Sequence, residues 1–349
     1  MSETTAAATS LATKTPLPTR RFGRMPFDVT AMGFGGAPLG NFMTPISQRD
    51  ADAMLEAAWE AGIRMFDTAP LYGSGLSERR LGLFFGQFPR EDYVISTKVG
   101  YLLRPGRPES GPWTNGGPFH PSYDYSYHGV TLSFEESLQR MGLDHVDIVL
   151  IHDVDVINHG KAAQARFFET AMDEGWQALS DLRAEGQIKA IGIGVNEWQV
   201  CHEALLARDF DCILPAGDYS LLRHDCLDAL LPLCEERNVA VIAGGGYHGG
   251  ILATGAVPGA KFDYAPASPA IMERVRQIEA VCARYAVSLP AAATQFILAH
   301  PAISTLIHGV RNQTQLQTNI EWLQAPIPPE FWQALKAEAI LPADAPVPS

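Results

Sequence analysis

Short apolar runs rich in Val and Ile alternate along the chain with longer segments in which apolar residues recur at helical spacing. That alternation is the mark of repeated strand and helix units around a parallel sheet. Strands are predicted at 30–35, 65–67, 93–98, 146–151, 188–194, 212–216, 239–243 and 303–307. Helices are predicted at 48–61, 77–85, 131–141, 170–185, 197–207, 227–237, 270–285 and 313–323, several of them ending in Gly or Asn. Eight such units predict an α/β fold of the (β/α)8 TIM barrel type. The rival architecture, an open doubly wound sheet, would want its cofactor fingerprint on the first turn, and none stands there.

Three features fall outside the repeat. Residues 20–29 read as an N-terminal β-hairpin with Gly23 near its turn, 290–299 as an extra helix before the last strand, and 324–349 as a Pro-rich C-terminal extra segment with a short helix at 330–339. Residues 1–19, rich in Ala, Ser and Thr, read as a disordered tail ahead of a single domain over 20–349. The segment 100–129 is long, rich in Gly and Pro, and carries Tyr101, Trp113, Phe119, Tyr123, Tyr125 and Tyr127. Structureless segments of that length in barrels are lids or binding loops.

Composition narrows the partners. Of 349 residues, 46% are hydrophobic and 19% charged, as expected for a chain that folds around a large core. The net charge is −13 with no Lys/Arg-rich block, so nucleic acid and anionic membrane are poor partners. A dinucleotide answers to local dipoles and one or two cations, and total charge does not exclude it. The five cysteines are scattered and never spaced as Cys-x-x-Cys, which predicts neither a disulfide framework nor a zinc knuckle. No apolar run reaches membrane-spanning length. The expectation is a soluble cytoplasmic protein, monomeric or homodimeric, acting on a small-molecule substrate.

The strand ends carry the chemistry, because in such barrels their side chains converge on one pocket. Asp67 ends strand two and is followed by Tyr72, Lys98 ends strand three, and His152 follows strand four. Hydride transfer to or from a carbonyl carbon needs a group that gives or takes a proton at the oxygen, and the phenol of Tyr72 can do both. Free tyrosine titrates near pH 10, and a neighbouring ammonium, Lys98, is expected to lower that value. Asp67 would be the counter-ion of Lys98, and His152 would hold the substrate oxygen by a hydrogen bond. A metal at His152, Asp153, Asp155 and His159 would need two His and two carboxylates to converge from one loop, so no metal is expected.

The segments Phe-Asp-Thr-Ala-Pro-Leu-Tyr-Gly (66–73), Ser-Thr-Lys-Val-Gly (96–100) and Asp-Ile-Val-Leu-Ile-His-Asp (147–153) resemble the aldo-keto reductase superfamily, over roughly residues 20–323. The resemblance implies an NAD(P)-dependent oxidoreductase with Asp67, Tyr72, Lys98 and His152 as its catalytic tetrad. Segments 192–198 and 123–127 resemble the D-threo-aldose 1-dehydrogenase (L-fucose dehydrogenase) and pyridoxal 4-dehydrogenase group.

Cofactor residues follow from the same resemblance. Gly244-Gly245-Gly246-Tyr247-His248-Gly249 satisfies G-x-G-x-x-G, yet no helix with a ribose-binding acid is expected after it. The family places a pyrophosphate loop here, so Gly245 and Gly246 are expected at the pyrophosphate. Gly309, Val310, Arg311, Gln315 and Asn319 fall on the segment that grips the adenosine phosphate end, where a helix N-terminus favours anions. Arg311 bears on a 2′-phosphate and leaves NAD versus NADP open. Gly194 and Asn196 fall where the family holds the nicotinamide carboxamide, with the Asn one position late and Ala216 where many members have Gln. Expected substrate contacts are Tyr101, Trp113, Tyr125, Tyr127 and Asp153. The expected reaction is oxidation of an aldose at C1 to the lactone. The alternatives are oxidation of pyridoxal, reduction of aldehydes or ketones, and, in another class, a cofactor-sensing regulatory subunit.

Overall fold

The computed structural model describes residues 16–106 and 111–349. Eight parallel strands close in chain order: β1 (Met32–Gly35), β2 (Met65–Asp67), β3 (Val94–Val99), β4 (Ile148–His152), β5 (Ala190–Val195), β6 (Cys212–Pro215), β7 (Ala240–Ala243) and β8 (Ile303–His308), with β8 paired back to β1. Each lies within two residues of its expected position. Strands covered on both faces have no need of polar positions. Accordingly every residue of β1, β2 and β4 to β8 is buried.

The barrel's inside is filled by Met65, Ile148, Leu150, Ala190, Cys212, Leu214, Ala240, Ile242 and Ile307, which pack with Phe22 and Val29 of the N-terminal hairpin. In that hairpin Thr19–Arg21 pairs antiparallel with Asp28–Thr30. Gly23 turns it at φ 50°, and a Cβ there would lie 2.6 Å from the Ala240 nitrogen, so only glycine lets the hairpin sit this close to the barrel floor. A second, larger core lies between the strands and the surrounding helices.

Four expectations need correction. Of the tail at 1–19, residues 1–15 lie outside the described residues, while Leu17 is buried in the core and Thr19 opens the hairpin, so residues 17–19 belong to the folded domain and not to a tail. The segment 100–129 is no structureless loop. Its strands Tyr101–Pro105 and Phe119–Tyr123 pair antiparallel, with residues 107–110 outside the description. The helix expected from 131 starts at Tyr127, because the Ser126 hydroxyl accepts a hydrogen bond from the Gly129 N–H and caps it there. The helix expected from 170 is preceded by Val156–Thr170, capped by Asp155 and joined to Trp176–Ala184 through a π-turn at Ala171–Gly175. The extra helix is Leu289–Ala299, and the C-terminal segment contains Pro329–Ala337. Among the described residues no single helix is long and apolar enough to cross a membrane.

The end of the barrel opposite the strand tips is tied by ion pairs. Asp211, just before β6, accepts hydrogen bonds from Arg24 Nη2 (2.9 Å), Arg183 Nη1 (2.6 Å) and the Ile191 N–H (2.9 Å). Its side chain is only 3% exposed, whereas both guanidinium groups remain about a third exposed. Removing the carboxylate leaves the buried Ile191 N–H without this acceptor and takes an ion-pair partner from Arg183, while Arg24 keeps Asp209 at 2.8 Å. Asp211→Ala is expected to lower unfolding stability by about 3 kcal/mol, read as a lower urea midpoint without loss of the native circular dichroism spectrum. An unchanged midpoint would show that the cluster is merely tolerated.

Candidate active site

Parallel strands put their carboxyl ends on one rim, and register decides which side chains meet there. Asp67 on β2 stands opposite Ser96 on β3, Lys98 opposite Leu150 on β4, and His152 opposite Gly194 on β5. Lys98 lies two residues beyond Ser96 and so shares its face of the sheet. Its ammonium donates to Asp67 Oδ1 at 2.9 Å, Asp67 Oδ2 at 2.7 Å and the Thr68 carbonyl at 2.8 Å. The Ser96 hydroxyl donates to Asp67 Oδ1 at 2.6 Å. Burial alone would lower the Lys98 pKa, but the Asp67 charge and hydrogen bond, with Tyr72, outweigh it and hold the ammonium above its ordinary value.

Tyr72 sits on the turn after β2, where the chain passes so close to the turn after β1 that a Cβ on Gly73 would fall 2.4 Å from the Gly40 carbonyl oxygen. This explains the Tyr-Gly pair. Lys98 Nζ is 4.6 Å from the centre of the Tyr72 ring, and the His152 ring meets Tyr72 edge-on at 6.0 Å. The four expected residues therefore converge. One expected consequence does not hold: burial pushes the Tyr72 phenol up to about 12, and the opposing Lys98 charge reduces that rise without reversing it. Burial, with the Lys98 charge beside it, pushes His152 well below its ordinary value, so its imidazole is neutral at pH 7.

The expected substrate residues divide. Asp153 lies at the site with its backbone in the left-handed region, φ 53°; its Oδ1 is 3.5 Å from His152 Nε2. Burial, reinforced by Asp155, raises the Asp153 carboxyl to about 7 against the pull of Tyr101, Lys98 and Asn196. Trp113 packs on Tyr72 with ring centres 5.3 Å apart. Tyr101, 3% exposed, donates its hydroxyl to Asp153 Oδ2 at 2.8 Å. Tyr125 is turned inward and donates to the His152 carbonyl at 2.7 Å, so it supports the strand end. Tyr127 is misplaced by the sequence reading: it opens an outer helix and donates to Asp181 at 3.0 Å, away from the barrel mouth.

The expected cofactor residues also separate by role. A Cβ on Gly194 would point at Leu150 and Lys98, inside the mouth. The Asn196 amide donates to Asp155 Oδ2 (3.1 Å) and Asp153 Oδ1 (3.3 Å), which leaves its carbonyl oxygen as the group available to a carboxamide. Gly245, exposed at φ 69°, follows β7, with Gly246 buried behind it. A helix of four residues, Ile251–Thr254, does follow this glycine run, though it is too short for a dinucleotide-binding unit. Gly309 and Arg311 are exposed, and Val310 is buried. The Gln315 side chain accepts from the Arg311 N–H at 2.8 Å and closes the turn ahead of the helix Gln313–Gln324. Asn319 is buried and faces the Tyr247 hydroxyl at 3.4 Å.

Several residues escaped the sequence reading. Asn312 caps the helix after β8, and an Asn just before an amphipathic run was the available signal. His308 ends β8 buried and neutral, pushed by burial to about 4, with Tyr247 stacked on it at 4.9 Å. Its Nε2 has no partner among the described residues. The buried nitrogen, the side-chain-free Gly245 and Gly309, the capped helix start and the exposed Arg311 fit a dinucleotide lying from β5 round to β8. Residues 31–339 match the model of the Aldo/keto reductase family.

The chain belongs to this family.

This aldo/keto reductase is 42% identical to pyridoxal 4-dehydrogenase from Microbacterium luteolum, over 92% of this chain and 97% of that one. It is 36% identical to D-threo-aldose 1-dehydrogenase from a Pseudomonas species, over 90% and 95%. Among solved structures, the holo form of an aldo-keto reductase from Bacillus halodurans superposes with a TM-score of 0.73 at 24% identity, over 94% of this chain and 98% of that one. At that identity the likeness speaks for the fold. As a member of its family the protein is an NAD(P)-dependent oxidoreductase.

Because His152 is neutral, its imidazole is expected not to titrate between pH 8 and about 5.5, where a free histidine would. The measurement is the Cε1 proton resonance by NMR, assigned by its loss in His152→Gln. A midpoint near 6.5 would show that Lys98 and burial do not control this ring.

Proposed function

We propose that the protein oxidises a hemiacetal carbon flanked by a hydroxyl, the leading case being C1 of an aldose of the L-fucose or D-arabinose kind with threo configuration, and that the product is the lactone. The observation that carries this reading is Asp153 beside His152. A buried carboxylate with Oδ1 3.5 Å from the imidazole is an acceptor set next to the reacting centre, suited to the hydroxyl on the neighbouring carbon. The relatives named for D-threo-aldose and pyridoxal support it, since a pyridoxal that closes on its own hydroxymethyl group is a hemiacetal too. Pyridoxal is the second reading, favoured by the 42% relative.

In this reading Gly194, Asn196, Gly245, Gly246, Gly309, Val310, Arg311, Gln315 and Asn319 hold the cofactor, and bound nicotinamide supplies the hydride acceptor. Asn196 offers its carbonyl oxygen to the carboxamide, and Arg311 is the side chain available to a 2′-phosphate. Neutral His152 donates a hydrogen bond to the substrate oxygen, and Tyr72 exchanges the proton on it. Lys98, held by Asp67, supplies the positive charge that favours phenolate. Trp113 covers the site. The protein is read as a cytoplasmic monomer or homodimer acting on a small molecule, and five buried cysteines, none in a disulfide, fit a reducing compartment.

Two outcomes test it. Tyr72→Phe keeps the ring and loses the proton, so turnover should fall roughly 10²- to 10⁴-fold while NAD(P)H binding, followed by fluorescence quenching, persists. With a phenol held near 12, wild-type oxidation should also quicken as pH rises above 8, because the basic form grows in that direction. Equal turnover by Tyr72→Phe would remove Tyr72 from proton transfer. The substrate is tested by assaying NAD(P)H formation with pentoses and 6-deoxyhexoses at equal concentration beside pyridoxal. Aldoses epimeric at C2 should separate in kcat/KM by about five- to 150-fold, as expected when one buried polar group loses its partner, at about 1–3 kcal/mol. Turnover of pyridoxal with none of any aldose would replace the leading reading by the second.

A further inference from the structure

We infer that Tyr101 is a positioning residue of this reaction, acting through Asp153 to fix which nitrogen of His152 carries the proton, and is not a substrate contact. This rests on the reading of His152 as donor to the substrate oxygen.

The chain of contacts begins in the hairpin Tyr101–Pro105 and Phe119–Tyr123 that rises directly from β3. Tyr101 is its first residue, almost wholly buried, and its hydroxyl donates to Asp153 Oδ2 at 2.8 Å. The other carboxylate oxygen, Oδ1, takes the Asn196 amide at 3.3 Å and stands 3.5 Å from His152 Nε2. One side of the carboxylate is thereby fixed by the phenol and the other is presented to the imidazole.

The imidazole needs that arrangement. A neutral histidine carries one N–H, and His152 Nδ1 is buried without a partner among the described residues. A proton on Nδ1 would be a buried donor with nothing to meet. A proton on Nε2 has the Asp153 carboxylate oxygen 3.5 Å away and, in this reading, the oxygen of the reacting carbon when substrate is present. The Asp153 backbone is left-handed at φ 53°, a conformation unfavourable for a residue with a Cβ. Its side chain is thus held by its hydrogen bonds, and the Tyr101 bond is the shortest of them.

The groups facing Asp153 are Tyr101 from the hairpin, Lys98 from β3, Tyr72 from the turn after β2, Asn196 from the turn after β5, Tyr125 ahead of the helix Tyr127–Met141, His159 of the helix Val156–Thr170, which bonds its backbone, and His152 and Asp155 of its own segment. Among them Tyr101, Lys98 and Asn196 favour the carboxylate, while burial and Asp155 oppose it and bring the group to about 7. Loss of the Tyr101 hydroxyl therefore moves the Asp153 titration to higher pH.

The experiment uses the full chain and whichever substrate the wild type turns over, so failure of the aldose assignment does not touch it. Tyr101→Phe should lower kcat roughly tenfold, a larger change than any rise in KM passed on through Asp153, and should move the acidic limb of the kcat/KM profile upward by about one pH unit, the size expected of a lost charge-assisted hydrogen bond. In Asp153→Asn that limb should be absent, and adding Tyr101→Phe should cost little more, because the phenol then has no carboxylate to hold. A Tyr101→Phe loss confined to KM, or an unmoved acidic limb, would make Tyr101 a substrate contact or a packing residue and overturn the inference. Additive losses in the double variant would do the same. Should Tyr101→Phe fold poorly, Asp153→Asn alone still decides: an acidic limb that survives there rules out control by this carboxylate. If wild type turns over nothing with NAD(P)+, the functional reading has failed instead.

Discussion

A buried ion pair governs the arrangement of the site. Lys98 and Asp67 are at most 2% exposed, and at that depth an ammonium persists only if every donor finds an acceptor. Here both Asp67 oxygens and the Thr68 carbonyl satisfy it, and Ser96 restrains the carboxylate from the neighbouring strand. The pair could not form one register away, since a shift of one residue would turn Lys98 into the helical layer. Barrel closure therefore does more than support the site. It fixes the sheet register that keeps a charge at its centre, and that charge in turn keeps His152 neutral and favours phenolate at Tyr72.

The same logic extends along the rim from β4 to β5. Asp155 caps the helix Val156–Thr170 through the Asn158 N–H and also receives the Asn196 N–H and amide. Asp153 accepts from the hairpin above β3 and from Asn196. Two acidic residues, neither in the tetrad, thus join three consecutive segments, and strain at Asp153 is sustained because its surroundings leave it no alternative place.

The strand-borne part of this picture was legible in the sequence, since β-branched runs mark strands and a polar residue at the end of such a run stands out. Asp67, Lys98 and His152 are of that kind. What depended on pairing between distant segments was hidden. The hairpin after β3 contains Pro105, Pro118 and Pro121 and is interrupted by four glycines between its strands, so its composition reads as loop although its pairing runs over five residue pairs. The helix Val156–Thr170 was obscured by Gly160, which breaks it with φ 68°. Tyr127 was assigned to the mouth from the aromatic segment it belongs to and the resemblance of 123–127, against a local signal: Ser126 caps a helix, which places Tyr127 in its first turn.

The covering of the site also follows from contacts that no single segment announces. After β7, Lys261–Phe262 pairs with Ala265–Pro266 around a two-residue turn, Asp263-Tyr264, in which both residues are left-handed. Asp263 is bound by His248 and by Arg223, each at 2.8 Å, and this anchors the turn from beneath. Tyr264 then meets Phe42 edge-on at 5.1 Å, Phe42 meets Trp113 at 5.1 Å, and Trp113 covers Tyr72. An aromatic row from three different loops thus ends on the proton-exchanging phenol. The burial that lifts Tyr72 to about 12 is consequently supplied in part by residues remote in sequence, and the acid strength of that phenol depends on how closely Trp113 lies over it.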